Sequence, residues 1–181
     1  MTKSNRLRLY FWVFLALNLG FIAWSRTYLK PLSTRDIVKF EVAKTLPAAE
    51  QIMTNWKQSG KFEKAQQSIQ ADYVFILLYS AGFITCVLLL SRLSKHELLH
   101  RTGRFITALV PIAAVCDVFE NIAMTRTLSG AASNFYVTLA YDMAVAKFSI
   151  IILTLIFLLI CLLFWIGSKF APKYEALSAQ N

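Results

Sequence analysis

Charge is scarce in this chain and cysteine scarcer still. Of 181 residues only 16% are charged, 10 acidic and 19 basic, while 57% are hydrophobic. A water-soluble domain of this length rarely carries such an apolar load, and here it is gathered into runs of membrane-spanning length. Too little chain remains outside those runs for a separate large soluble domain, so a single membrane domain is expected. The three cysteines, Cys86, Cys116 and Cys161, lie inside apolar runs without a CxxC pair. They read as buried free thiols and say little about redox compartment. No nucleic-acid partner is expected; the partner that the composition implies is the lipid bilayer.

What is present is an all-α pattern: a four-transmembrane-helix bundle with short amphipathic helices capping its outer side. The spans are expected at about 9–25, 72–93, 105–125 and 141–167, with an extramembrane helical cap at about 33–71. The first apolar run, "LYFWVFLALNLGFIAW", is long and ends in Trp24-Ser25-Arg26 rather than a small-x-small cleavage site, so it reads as a retained span. In the polar stretch that follows, Ser33 and Asp36 fit a capping box. Ile37, Phe40 and Ala43 recur on one face. Pro47 fits the first turn of a second short helix, in which Ala49, Ile52, Met53 and Trp56 share a face, and Gly60 ends it.

Four spans put both termini on one side. Lys and Arg tie at nine on each side, but Arg92, Lys95, Arg101 and Arg104 crowd the short connection between the second and third spans. That density favours a cytoplasmic connection and cytoplasmic termini, in a bacterial inner membrane. The long first loop then faces outward, where its excess of basic residues meets anionic head groups.

The third span cannot avoid its acids. Phe105 to Cys116 supplies twelve residues, about 18 Å of helix, whereas a hydrocarbon core needs about 30 Å. A straight span therefore includes Asp117, Glu120 and Asn121. At i, i+3 and i+4 these share one face, and the cost of an unpaired carboxylate in lipid turns that face into the bundle. Candidate partners sit at matching depth. Asp72 and Tyr73 open the second span, and Tyr79 lies deeper on the stripe Asp72, Ile76, Tyr79, Phe83. Tyr141, Asp142 and Lys147 lie near the entry of the fourth span. Apart from Arg92 at the very end of the second span, Lys147 is the only base in any proposed span and the natural counter-ion for Asp117 or Glu120; Glu41, in the cap region, is able to close over the group, though nothing in the sequence forces it to. All-oxygen donors without histidine suit a hard cation such as Mg²⁺ or Ca²⁺ better than zinc, and tyrosine beside carboxylate suits proton transfer.

One further motif stands at the basic connection. "HELLH", His96 to His100, resembles the HExxH signature of zincin metallopeptidases, and Glu120 follows at a spacing similar to that of the third ligand in thermolysin-like members. That resemblance implies zinc held by His96, His100 and Glu120, with Glu97 as general base. A straight third helix opposes it, since Glu120 then lies about 22 Å beyond Phe105 while zinc ligands must sit about 2 Å from the metal.

The functional expectation is a membrane-embedded site near the outer leaflet that binds or handles a small amphiphilic ligand, cation or proton. Its rival is an assembly or partner-binding subunit, oligomeric or joined to another protein, whose polar layer only orders helices. The zinc peptidase is the third reading. No cofactor is required by any residue pattern, and the sequence leaves open whether a reaction is catalysed.

Overall fold

A computed structural model describes residues 3–178, with side chains described from 5 to 170. Those residues form α1 (Lys3–Tyr28), α2 (Thr34–Glu41), α3 (Leu46–Gln58), α4 (Phe62–Leu93), α5 (Glu97–Leu128) and α6 (Asn134–Ser178), without a strand. Four of them are long and apolar enough to cross a membrane: α1 from Asn5, α4, α5, and α6 as far as Phe170. They run past the expected spans at their polar ends. Helix α4 begins ten residues before Asp72, α5 begins at Glu97, and α6 is one uninterrupted helix from Asn134. Polar residues at these ends obscure the apolar pattern without breaking the backbone hydrogen-bond ladder, so hydropathy marks shorter segments than the helices themselves.

Short connections make α4, α5 and α6 alternate in direction. Helix α5 packs along both α4 and α6, while α1 packs chiefly along α4. At the first of these contacts Gly103 lets the backbones approach closely; a Cβ there would lie 2.8 Å from Ser91 Cβ. At the α1–α4 contact the Asn18 side chain donates to the Leu78 carbonyl at 2.9 Å, above Gly82. Large apolar side chains such as Trp12, Leu77, Phe105, Val115 and Leu163 remain exposed around the long helices. So much apolar surface has no place in water.

The short helices form where their local signals lie. Ser33 caps α2, its hydroxyl accepting from the Asp36 amide while the Asp36 carboxylate accepts from the Ser33 amide. Pro47 occupies the first turn of α3, and Gly60 follows that helix at φ 67°, a conformation that favours glycine. Phe40 and Trp56 bury their rings against each other, 5.0 Å between centroids. They join Ile69 of α4, Met124 and Leu128 of α5, and Val137 of α6 in one cluster. Lys61, 3.0 Å from Asp36, ties α2 to the start of α4. All three cysteines are free; Cys161 is buried, whereas Cys86 and Cys116 are only half-buried.

Candidate functional site

The acids of α5 meet a base from α6. Asp117, Glu120 and Asn121 are all buried, Glu120 completely. Lys147 Nζ donates to Asp117 Oδ1 at 2.9 Å and lies 2.7 Å from Glu120 Oε2. The Tyr79 hydroxyl donates to Asp117 Oδ2 at 2.8 Å. Asp117 thus has a donor on each oxygen, one from α4 and one from α6. Beside it the Asn121 amide donates to Asp72 Oδ2 at 2.7 Å, a second α5–α4 link. From α2, Glu41 reaches in to leave Oε2 4.0 Å from the same ammonium.

The arrangement is unbalanced in two ways. Three carboxyl groups (Glu41, Asp117 and Glu120) surround one ammonium and a fourth, Asp72, is joined to the group through Asn121, so full ionisation of all four leaves an excess of three negative charges. In addition, both oxygens of Glu120 and Oε2 of Glu41 are buried without a hydrogen bond. The close Glu120–Lys147 approach is therefore an ion pair whose geometry is not that of a hydrogen bond. Unsatisfied buried oxygens are costly and uncommon in native interiors. Burial pushes the Glu41 carboxyl above the usual glutamate range, with Asp117 adding to the rise and Lys147 opposing it.

A cavity of about 920 Å³ opens onto this group. Glu41, Asp72, Tyr79, Asp117 and Lys147 are among the residues that line it. Its walls carry Phe21 from α1, Phe75 and Phe83 from α4, and Phe148 and Ile151 from α6. The exposed Arg26 and Lys30 also line it. Glu120, which is completely buried, does not line it. The cavity exists because α1 leans on α4 and leaves space before α6.

The other expected residues lie elsewhere. Tyr73 is exposed and turns away from the group. Tyr141 is half-buried, with the Lys44 ammonium 5.6 Å over its ring. Asp142 is exposed, in a shallow separate cleft with Asn134 and Phe135. Neither Tyr73, Tyr141 nor Asp142 enters the cluster, because offsets of one, six and five residues from Asp72 or Lys147 are not whole helical turns and set these side chains on other faces. His96 is the residue before α5, its ring edge-on to Phe164, and the exposed Glu97 pairs with Arg101. Glu120 is about 30 Å along α5 from His100. Among the described residues no three histidine, cysteine, aspartate or glutamate side chains converge to hold a metal ion. At the carboxylate group the central position belongs to the Lys147 ammonium. The α1 wall escaped sequence reasoning, although Asn18, a polar residue within an apolar run, was a signal for it.

Comparison with protein-family models, with curated proteins and with solved structures finds no match.

Proposed function

We propose that the chain is a four-span integral membrane protein whose buried carboxylate–lysine group binds or handles a small amphiphilic ligand, with a proton or cation balancing its charge. The observation that carries this reading is the cavity: a chamber beside α1, lined mainly by apolar side chains that include five aromatic rings, is also lined by Asp72, Asp117 and Lys147. Ionisable side chains within apolar helices are expensive, and where they line a chamber they mark a ligand or ion pathway. With the basic α4–α5 connection in the cytoplasm, α2 and α3 cap the outer side and the site lies toward the outer leaflet.

The rival, a structural polar layer in an assembly subunit, draws support from the direct Tyr79–Asp117–Lys147 contacts. It leaves the chamber without a role. The two separate on purification. Solvent extraction of the purified protein followed by mass spectrometry should show an amphiphile enriched over bulk lipid. Ala71→Phe, which fills the chamber from α4, should abolish the enrichment while leaving a folded, monodisperse protein. Equal lipid profiles for both would remove the ligand reading.

A further inference from the structure

Resting on the ligand-site reading above, we propose that the chamber takes a cationic amphiphile, a protonated amine with an apolar body, and that Asp72 holds its ammonium. Size is the first constraint on the occupant. A chamber of about 920 Å³ lies at the upper end of those that enclose drug-sized molecules, far more than a bare ion or proton needs. The walls then set polarity. Phe21 and Phe75 stack with centroids 5.3 Å apart, and Tyr79 and Phe83 continue that aromatic surface inward. Aromatic faces attract an organic cation as well as an alkyl body.

Charge completes the assignment. Asp117 already has Tyr79 and Lys147 on its two oxygens. Asp72 also lines the chamber, but only its Oδ2 has a hydrogen bond, from the neutral Asn121 amide. Among the described residues no basic side chain lies within ion-pair distance of Asp72. Glu41, buried and also lining the chamber, has Oε2 unsatisfied. An entering ammonium supplies hydrogen-bond donors and balances the negative charge of an ionised Asp72. An entering carboxylate or phosphate would raise it. Arg26 and Lys30 also line the chamber and are exposed, which suits them to the anionic head groups of surrounding lipid. Asn121 is the positioning residue, fixing the Asp72 carboxylate across the α4–α5 interface.

The test uses the full chain in neutral detergent near neutral pH, with dodecylamine, dodecanol, dodecanoate and butylamine as probes. Binding is counted per chain by native mass spectrometry. Dodecylamine should bind at least about tenfold more tightly than the alcohol or the acid, the scale of one charge-assisted hydrogen bond. Butylamine should bind weakly, because the apolar walls contribute little to it. Asp72→Asn should bring dodecylamine close to dodecanol, and Asp72→Glu should restore selectivity. Equal binding of amine, alcohol and acid overturns the cationic assignment but leaves the ligand site standing. Butylamine as tight as dodecylamine overturns the amphiphile in favour of a small free amine. Unchanged selectivity in Asp72→Asn overturns the role of Asp72. Should that variant misfold, the ranking of the four probes on the native chain still decides the charge of the guest. If no probe binds, the ligand site itself falls, and this inference with it.

Discussion

Lys147 joins Asp117 across the α5–α6 interface, Nζ to Oδ1 at 2.9 Å, with both side chains buried. The ammonium is shared, since Glu120 lies 2.7 Å from it on another side. Removing one member of a buried pair leaves the others uncompensated, which costs more than the pair itself contributes. Lys147→Met is expected to destabilise the protein by about 3–5 kcal/mol. The triple variant with Asp117→Asn and Glu120→Gln should recover much of that loss. Reversible unfolding in mixed detergent measures both, and a triple variant no more stable than Lys147→Met would show that the ion pairs are not what Lys147 contributes.

Helix packing gives a sharper contrast between two glycines. A Cβ at Gly103 would lie 2.8 Å from Ser91 Cβ and 2.9 Å from its Oγ, whereas one at Gly20 meets nothing within 4 Å. Gly103→Ala should therefore destabilise the α4–α5 contact by about 1–3 kcal/mol. Ser91→Gly in the same chain should relieve the clash. Gly20→Ala should be neutral or stabilising by up to about 1 kcal/mol through its helix preference. Thermal midpoints of the four proteins check this, and equal losses at both glycines would mean that α5 does not pass α4 as described.

Two acids of α2 should respond to pH with opposite signs. At Asp36, burial works to raise the carboxyl, but the Ser33 amide and the Lys61 ammonium outweigh it and hold the group below the usual aspartate range. Its contribution is present above the unfolded pKa and is lost as pH falls through the folded one. Glu41 is raised, first by burial, so it favours the fold below its unfolded pKa and loses that contribution as pH rises through the folded value. The stability difference between wild type and Asp36→Asn should thus shrink in acid. Glu41→Gln should gain on wild type as pH rises. Thermal midpoints from strongly acidic pH, below the usual aspartate range, to mildly alkaline pH give both slopes, and a flat Glu41→Gln difference would mean that its carboxyl does not titrate in that range.

The four long helices were legible because their apolar runs exceed any ordinary core helix. Asp117, Glu120 and Asn121 were legible as one face because their spacing matches the helical repeat. Tyr79 and Lys147 followed from depth counting. Other features depend on how helices tilt, which periodicity does not encode. Tyr141 and Asp142 are as polar as Lys147 and as close to the entry of α6, but their angular positions turn them to half-buried and exposed surfaces. Glu41 enters the cluster because α2 docks through Phe40 onto Trp56, a contact between separate short helices. The chamber itself is a gap left by the lean of α1, and a gap has no sequence pattern of its own.

Sidedness follows from the same frame. Helix α3 shares one apolar cluster with Leu128 and Val137, so the α2–α3 segment and the connection between α5 and α6 lie at one end of the bundle. His100 lies in the first turn of α5, at the opposite end. The basic density around Arg92, Lys95, Arg101 and Arg104 is the ground for expecting that opposite end in the cytoplasm. Single cysteines at the exposed positions Gln58, His100 and Ala131, in a chain with Cys86, Cys116 and Cys161 changed to alanine, report on this directly. A membrane-impermeant thiol reagent should label Gln58→Cys and Ala131→Cys in intact cells, and His100→Cys only after lysis. The inverse pattern would keep the bundle but move the site to the cytoplasmic leaflet, and its ligand would then be sought among cytoplasmic amphiphiles. Labelling of Gln58→Cys and Ala131→Cys from opposite sides would contradict the shared cluster of α3, α5 and α6, because a bundle packed in that way cannot place its two connections across the membrane from each other.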